Sequence, residues 1–490
     1  VSGLPAFPTR HVLKQATQRR FEPEAYMDIL ITLSALCLLM LVAYRGFSVI
    51  LFAPVAALLA VLLTDPVLVP PFFSGIYMEK LVGFLKPYFP VFLLGAVLGK
   101  LIELSGFARA ITQRVIATLG KNNAMLAVVL VCALLTYGGV SLFVAAFAVY
   151  PFALELFRAA DIPKRLIPGC IALGSFTFTM DALPGSPQIQ NIIPTTFFHT
   201  TTWAAPILGL VGAAFVLTVG LVYLRLRHKQ AIAAGEGFGQ HDDATPASAL
   251  HAPKIPPLVA VLPLLLVGGL NFLFTRLIPK VYPTSYDFAA VGVKGAPVLD
   301  TSKLVALWAV EGALLVGILC IVVLAFRRVR SELSKGISIA IGGALLAGFN
   351  TASEYGFGGV IAALPGFRAL SDGMAHFISN PLLNEAITTT ALAGMTGSAS
   401  GGMSIALATI GQRTLEQATQ LGIPAEVLHR VAAMASGGMD TLPHNGAVIT
   451  LLAVTGLTHR QSYGDIFAMT LIKTAAVFVV IAFYYLTHLY

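Results

Sequence analysis

At 490 residues, 57% hydrophobic and only 11% charged, the chain lies well outside the balance of a soluble globular domain. Its formal charge of +8 would suit nucleic acid, but the Lys and Arg fall in short clusters between apolar runs, where membrane topology signals belong, and this argues against a nucleic-acid partner. Cys37, Cys132, Cys170 and Cys320 are scattered through apolar segments without paired spacing, so they read as packing residues and indicate neither a disulfide framework nor a metal site.

Residues 1–26 carry Arg10, Lys14, Arg19 and Arg20 and no membrane-length apolar run, and are expected to be a tail, with Met27 as a candidate native start. Crossings are then predicted at about 27–44, 47–64, 84–104, 163–180 and 203–226. The stretch from Trp203 to Leu224 contains no charged residue and is long enough to span roughly 30 Å of hydrocarbon. A polar linker, 227–256, follows. Five more crossings are predicted at about 257–278, 303–326, 332–350, 424–439 and 463–488. Two further apolar stretches, 123–158 and 382–415, are interrupted by glycine- and serine-rich runs, Gly138 to Ser141 and Gly397 to Ser404. They read as re-entrant helical hairpins, since irregular backbone at membrane depth persists only where protein or a wet cavity satisfies it.

The two halves echo each other. Gly139-Val140-Ser141 returns as Gly402-Met403-Ser404, Ile162-Pro163 as Ile423-Pro424, and Met180-Asp181-Ala182-Leu183-Pro184 as Met439-Asp440-Thr441-Leu442-Pro443, at offsets of 263, 261 and 259. Each half is therefore expected to hold five crossings, one hairpin and one crossing broken at Asp-x-Leu-Pro (163–200 and 424–457), giving repeats at 27–226 and 257–490. Basic residues at 225–229, 327–330 and around the first hairpin place those ends and the linker in the cytoplasm. An odd number of crossings per half then makes the second repeat inverted. The fold class expected is all-α and polytopic, with about ten spans and two hairpins.

Inverted repeats with broken helices are the architecture of secondary transporters, and half-helix N-termini suit a carboxylate, so the expected partner is a small organic anion. Gly138, Gly139, Ser141, Gly185, Ser186, Gln188, Asn191, Ser398, Ser400, Gly401, Ser404 and Asn445 are the candidate substrate-binding residues; serines and glycines at these places also serve close helix packing. Asp181, Asp440, His444 and Glu354 are the candidate proton-coupling groups, because burial favours the uncharged form of an acid. Either aspartate could instead cap the second half of its broken crossing. Lys473 reads as a snorkelling residue.

Leu94-Gly95-Ala96-Val97-Leu98-Gly99-Lys100-Leu101, then Ser105-Gly106, then Leu183-Pro184-Gly185-Ser186-Pro187 resemble the gluconate permease family of proton symporters, within the wider ion-transporter superfamily. The resemblance covers nearly everything after Met27. It implies a homodimer in a bacterial inner membrane, proton-coupled uptake of small hydroxy-carboxylates, no cofactor beyond the coupling ion, and no enzymatic activity. At the first break the gluconate-type members have a Pro-Pro-His-Pro-Gly-Pro pattern, whereas here Leu183 to Gln188 lacks the histidine. A smaller acid is expected, and this branch is similar to D-3-hydroxybutyrate permeases. Sodium coupling stays open. An intramembrane aspartyl protease fits less well because both aspartates belong to one duplicated unit, and no segment resembles the filter of a channel.

Overall fold

The computed structural model describes residues 23–45, 47–120, 123–140, 142–239, 255–293, 295, 298–369, 378–443 and 445–490. Expectations for residues 1–22, the middle of the linker (240–254), Ser141 and His444 lie outside the described residues.

Among the described residues the first helices are α1 (Pro23–Tyr44) and α2 (Val49–Thr64). The third crossing is longer than its apolar run suggests: helix continues through Pro66–Leu104, of which α3 (Met78–Leu104) is the regular part. Prolines concealed this start. Asp65 accepts from the Val67 N–H (3.0 Å), and Pro66, Pro70 and Pro71 sit in first turns where a missing N–H costs nothing. A π-helical turn, Phe73–Tyr77, then feeds into α3. An unanticipated amphipathic helix, α4 (Phe107–Leu119), follows Gly106, which turns the chain at φ +79°.

The first hairpin is α5 (Ala124–Tyr137) and α6 (Leu142–Ala159), and the first broken crossing is α7 (Ile167–Ser175), α8 (Phe178–Asp181) and α9 (Ile189–Phe198), followed by α10 (Pro206–Ala233). The second half follows a similar order, without described counterparts of α4 and α8. Its helices are α11 (Pro257–Val281), α12 (Val305–Val329), α13 (Leu333–Ala363), the hairpin α14 (Pro381–Thr396) and α15 (Ala399–Gln420), the broken crossing α16 (Ala425–Ser436) and α17 (Gly446–Thr455), and α18 (His459–Thr487). Six helical runs among the described residues are long and apolar enough to cross a membrane. Two short strands, β1 (Ser285–Tyr286) and β2 (Leu299–Asp300), pair in the loop before α12 and are a minor exception to an otherwise all-α, multi-pass membrane protein.

Membrane helices show apolar residues on both faces. In α12, Val310, Leu314, Gly317 and Ile321 are buried while Leu315, Leu319 and Val323 are exposed, which is a protein-facing stripe and a lipid-facing stripe on one helix. Association in lipid depends on close packing more than on the hydrophobic effect, so small residues sit where helices touch. A Cβ at Gly174 in α7 would stand 2.5 Å from the Val129 carbonyl oxygen of α5, so any side chain there would force the hairpin off the broken crossing.

The ends of α10 and α18 are tied by ions. Asp465, buried in α18, accepts from Tyr223 (2.9 Å), Arg227 (2.8 Å) and Arg165 (3.3 Å), and Arg165 also grips Glu236 with two hydrogen bonds of 2.7 and 2.8 Å. Glu236 lies past the end of α10, outside the apolar span, and its hydrogen bonds to Arg165 hold its carboxyl below the usual range. A depressed acid stabilises the fold above its unfolded pKa of about 4.3 and loses that contribution as pH falls through the folded value. Glu236→Gln is predicted to lower stability by under about 1 kcal/mol at neutral pH, because the pair is half exposed, and the difference from wild type should shrink as acid protonates Glu236 in the folded protein. Thermal unfolding of both proteins in detergent across this range checks it. A difference that grows in acid would contradict the assignment.

Candidate functional site

The two broken crossings meet at the centre. The carboxyl of Asp181, the last residue of α8, lies against the bare backbone of Gly437 just past α16. Asp440, in the turn between α16 and α17, is paired with the Lys473 ammonium of α18, and the same ammonium donates 2.9 Å to the Phe176 carbonyl in the kink between α7 and α8. Lys473 is 2% exposed. It therefore does not snorkel: it bridges the breaks of both halves. Neither aspartate caps a helix. Asn445 caps α17 instead, accepting from Ala447 N (2.6 Å) and Val448 N (3.2 Å), so both carboxyls stay available for charge chemistry.

Arg430, unnoticed in the sequence and fully buried in α16, anchors this crossing. Its guanidinium donates to the Asp181 carbonyl (3.0 Å), to Asn191 Oδ1 (3.0 Å) and twice to the Ala204 carbonyl (2.7 and 3.3 Å). The neighbouring His429 donates from Nε2 to Asn191 Oδ1 (3.2 Å), which leaves Nδ1 to accept from the Thr200 hydroxyl (2.6 Å). With two acids and two bases buried together, the centre is close to neutral when both acids are ionised. It gains one positive charge for each proton added, an arrangement in which proton and anion binding favour one another.

In each half, a side-chain amide from the break binds the hairpin tip. Gln188 Nε2 donates to the Thr136 carbonyl (2.7 Å), and Asn445 Nδ2 to the Gly397 carbonyl (2.7 Å). Gly138, Gly139, Gly185 and Gln188 thus form one patch, and Gly185 (φ +75°) lies under the Trp203 ring, where no side chain fits. Ser186 and Asn191 belong to its supporting frame: the Ser186 hydroxyl donates to the Thr179 carbonyl (2.8 Å), and the Asn191 amide to the Ser186 (2.9 Å) and Thr202 (2.8 Å) carbonyls.

Ser398, Ser400, Gly401 and Asn445 form the second patch. Ser398 caps Gly401 N (3.1 Å), Ser400 is 3.2 Å from the Thr351 hydroxyl, and the Ser404 hydroxyl is buried without a partner. Glu354 stands beside Gly401 at the start of α15. Because α13 runs on to Ala363, Glu354 lies inside that helix and is buried, not at a span end. The N-terminus of α15 therefore already faces a carboxyl of the protein itself.

A cavity of about 530 Å³ opens beside the first tip between Tyr137, Gly138, Trp203, Leu264, Gly268 and Phe272. Its apolar walls suit a carboxylate poorly, and the ionisable centre is the better candidate.

No family model matches the chain. Over 471 residues it is 59% identical to the uncharacterized transporter YxjC of Bacillus subtilis, covering 94% of this chain and 100% of that protein. A Haemophilus influenzae protein named only as a transporter is 33% identical over 123 residues, 25% of this chain and 28% of its own. The solved Alcanivorax borkumensis YdaH transporter superposes with a TM-score of 0.52 at 16% identity, over 82% of this chain and 86% of that one, a likeness of fold alone. Near-complete coverage at such identity means that the chain belongs to the transporter family of YxjC.

Proposed function

We propose that the protein carries a small hydroxy-monocarboxylate, D-3-hydroxybutyrate-like or gluconate-like, across a bacterial inner membrane together with a proton. The carrying observation is the junction of two duplicated breaks at Asp181, Asp440 and Lys473. A proton arriving at Asp440 removes its charge and frees Lys473, whose ammonium then becomes available to a carboxylate. The second hairpin supplies hydroxyls for the solute's oxygens, the Ser404 hydroxyl among them being buried without a partner of its own. The resemblance to gluconate permeases supports the carboxylate class, and the missing histidine at Leu183 to Gln188 favours a smaller acid. Alternating access follows from two inverted repeats, 27–226 and 257–490, in a homodimer.

The test is uptake of labelled 3-hydroxybutyrate and gluconate into liposomes, under an inward proton gradient and separately with sodium alone. Proton-driven uptake that falls at least roughly 100-fold in Asp440→Asn is the expected result, the scale of losing a group that moves a proton. Uptake indifferent to pH and dependent on sodium replaces the coupling ion, and no uptake of either acid removes the substrate class.

A further inference from the structure

The apolar cavity beside the first hairpin tip has a cationic mouth. Leu265, Gly269 and Phe272 line it from α11, and Tyr137, Gly138 and Trp203 from the hairpin and the break. Glycines leave the room for it: a Cβ added at Gly269 would meet nothing within 4 Å, and one at Gly268 only the Tyr137 ring at 3.8 Å. Leu265, Gly269, Phe272, Arg276 and Lys280 follow one another at three or four residues and so share one face of α11. All five are exposed, which makes this the face that α11 turns to lipid, and the cavity is a slot along it.

The mouth and the slot are joined by contacts. The Arg276 guanidinium lies 4.0 Å from the centre of the Phe272 ring, Phe272 meets Trp203 edge-on at 5.0 Å, and Trp203 covers Gly185 at the first break. Among the described residues no acid pairs with Arg276 or Lys280. Arg276 stands about 8 Å from the end of α11 at Val281, in a helix of 25 residues that outreaches roughly 30 Å of hydrocarbon. The two cations therefore sit at headgroup level. The slot, from Phe272 to Leu265, lies about 6–17 Å deeper, at acyl-chain level. An apolar slot beneath two unpaired cations complements a lipid with a negative headgroup, whereas the same walls reject a small hydroxy-acid.

We propose that α11 and the first hairpin form a binding site for an anionic phospholipid, with its phosphate on Arg276 and Lys280 and one acyl chain in the slot against Tyr137, Gly138 and Trp203. The bound lipid braces the hairpin tip and the ring that covers Gly185. The site does not depend on which solute or coupling ion is carried.

The chain has two tryptophans, Trp203 and Trp308, so Trp308→Phe leaves Trp203 as the reporter of the slot. In vesicles of phosphatidylethanolamine and phosphatidylglycerol, bromine placed on the acyl chains of one lipid at a time quenches a tryptophan that those chains touch. Brominated phosphatidylglycerol should quench Trp203 more than brominated phosphatidylethanolamine at equal content. The relative affinity for phosphatidylglycerol should fall about fivefold for each of Arg276→Gln and Lys280→Gln. Gly269→Leu fills the slot but keeps both cations, and should abolish the preference; this separates a seated lipid from general attraction to a charged surface. In detergent, without the Trp308 change, added phosphatidylglycerol should raise the unfolding temperature of wild type and not that of the Arg276→Gln, Lys280→Gln double variant. Equal quenching by the two lipids, a preference that survives in the double variant or in Gly269→Leu, or an equal rise in unfolding temperature overturns the proposal. So does a Trp203 that neither lipid quenches, which would mean that protein, a second copy of the chain included, covers the slot.

Discussion

Arg430→Ala is expected to destabilise the protein by about 3–5 kcal/mol and to abolish uptake, and Arg430→Lys is expected not to rescue it. The guanidinium satisfies three acceptors on three separate segments at once: the Asp181 carbonyl, Asn191 Oδ1 and the Ala204 carbonyl. Truncation takes the Arg430 donor from the Asp181 and Ala204 carbonyls inside a closed space, each orphan costing about 1–3 kcal/mol, leaves Asn191 Oδ1 with His429 alone, and removes a side chain that fills the crossing. Lysine offers a point charge where a planar fork is needed. Thermal unfolding in detergent together with liposome uptake decides the matter. An Arg430→Lys protein as stable and active as wild type would sink the bracing role.

Lys473→Met should remove gradient-driven uptake by roughly 100-fold or more and lower stability by about 3–5 kcal/mol, since Asp440 is left as an uncompensated buried charge. The double variant Lys473→Met with Asp440→Asn removes both charges and should regain most of the stability while uptake stays lost. That split between folding and transport distinguishes a coupling pair from a packing contact. If the single variant accumulates solute like wild type, Lys473 has no part in coupling.

Several helix ends of this centre were legible because they are duplicated. Met-Asp-x-Leu-Pro, repeated at 180 and 439, falls where α8 ends at Asp181 and between α16 and α17, and the glycine runs fall where α5 ends at Tyr137 and α14 at Thr396. Lys473 was misread because α18 is apolar all round. Only neighbours reveal that Lys473 shares the buried stripe of Ile466, Met469, Val477 and Val480, though that three- and four-residue spacing is visible in retrospect. Arg430 carried a usable signal, a charge inside a predicted crossing, which marks function or bracing whatever its surroundings. Glu354 fell past the predicted crossing, which was ended at residue 350. α13 continues through that point, Thr351 paired back to the preceding turn at the Ala347 carbonyl (3.1 Å). The start at Pro66 escaped for the opposite reason: prolines read as breakers until their first-turn positions are known.

The ion network under α10 and α18 bears on how the chain is made. Arg165 meets Asp465 across 300 residues of sequence, while Glu236 lies only 71 residues away. At about 5–20 residues per second, roughly 15–60 s of synthesis separates Arg165 from its buried partner. Glu236, made 71 residues after Arg165, is present for the later three-quarters of that wait, and Asp465 only at its end. Arg227 and Tyr223 wait for the same acid, so the closing of this end is timed by the ribosome's delivery of α18, and a chain cut short before Asp465 leaves both arginines without their shared buried partner.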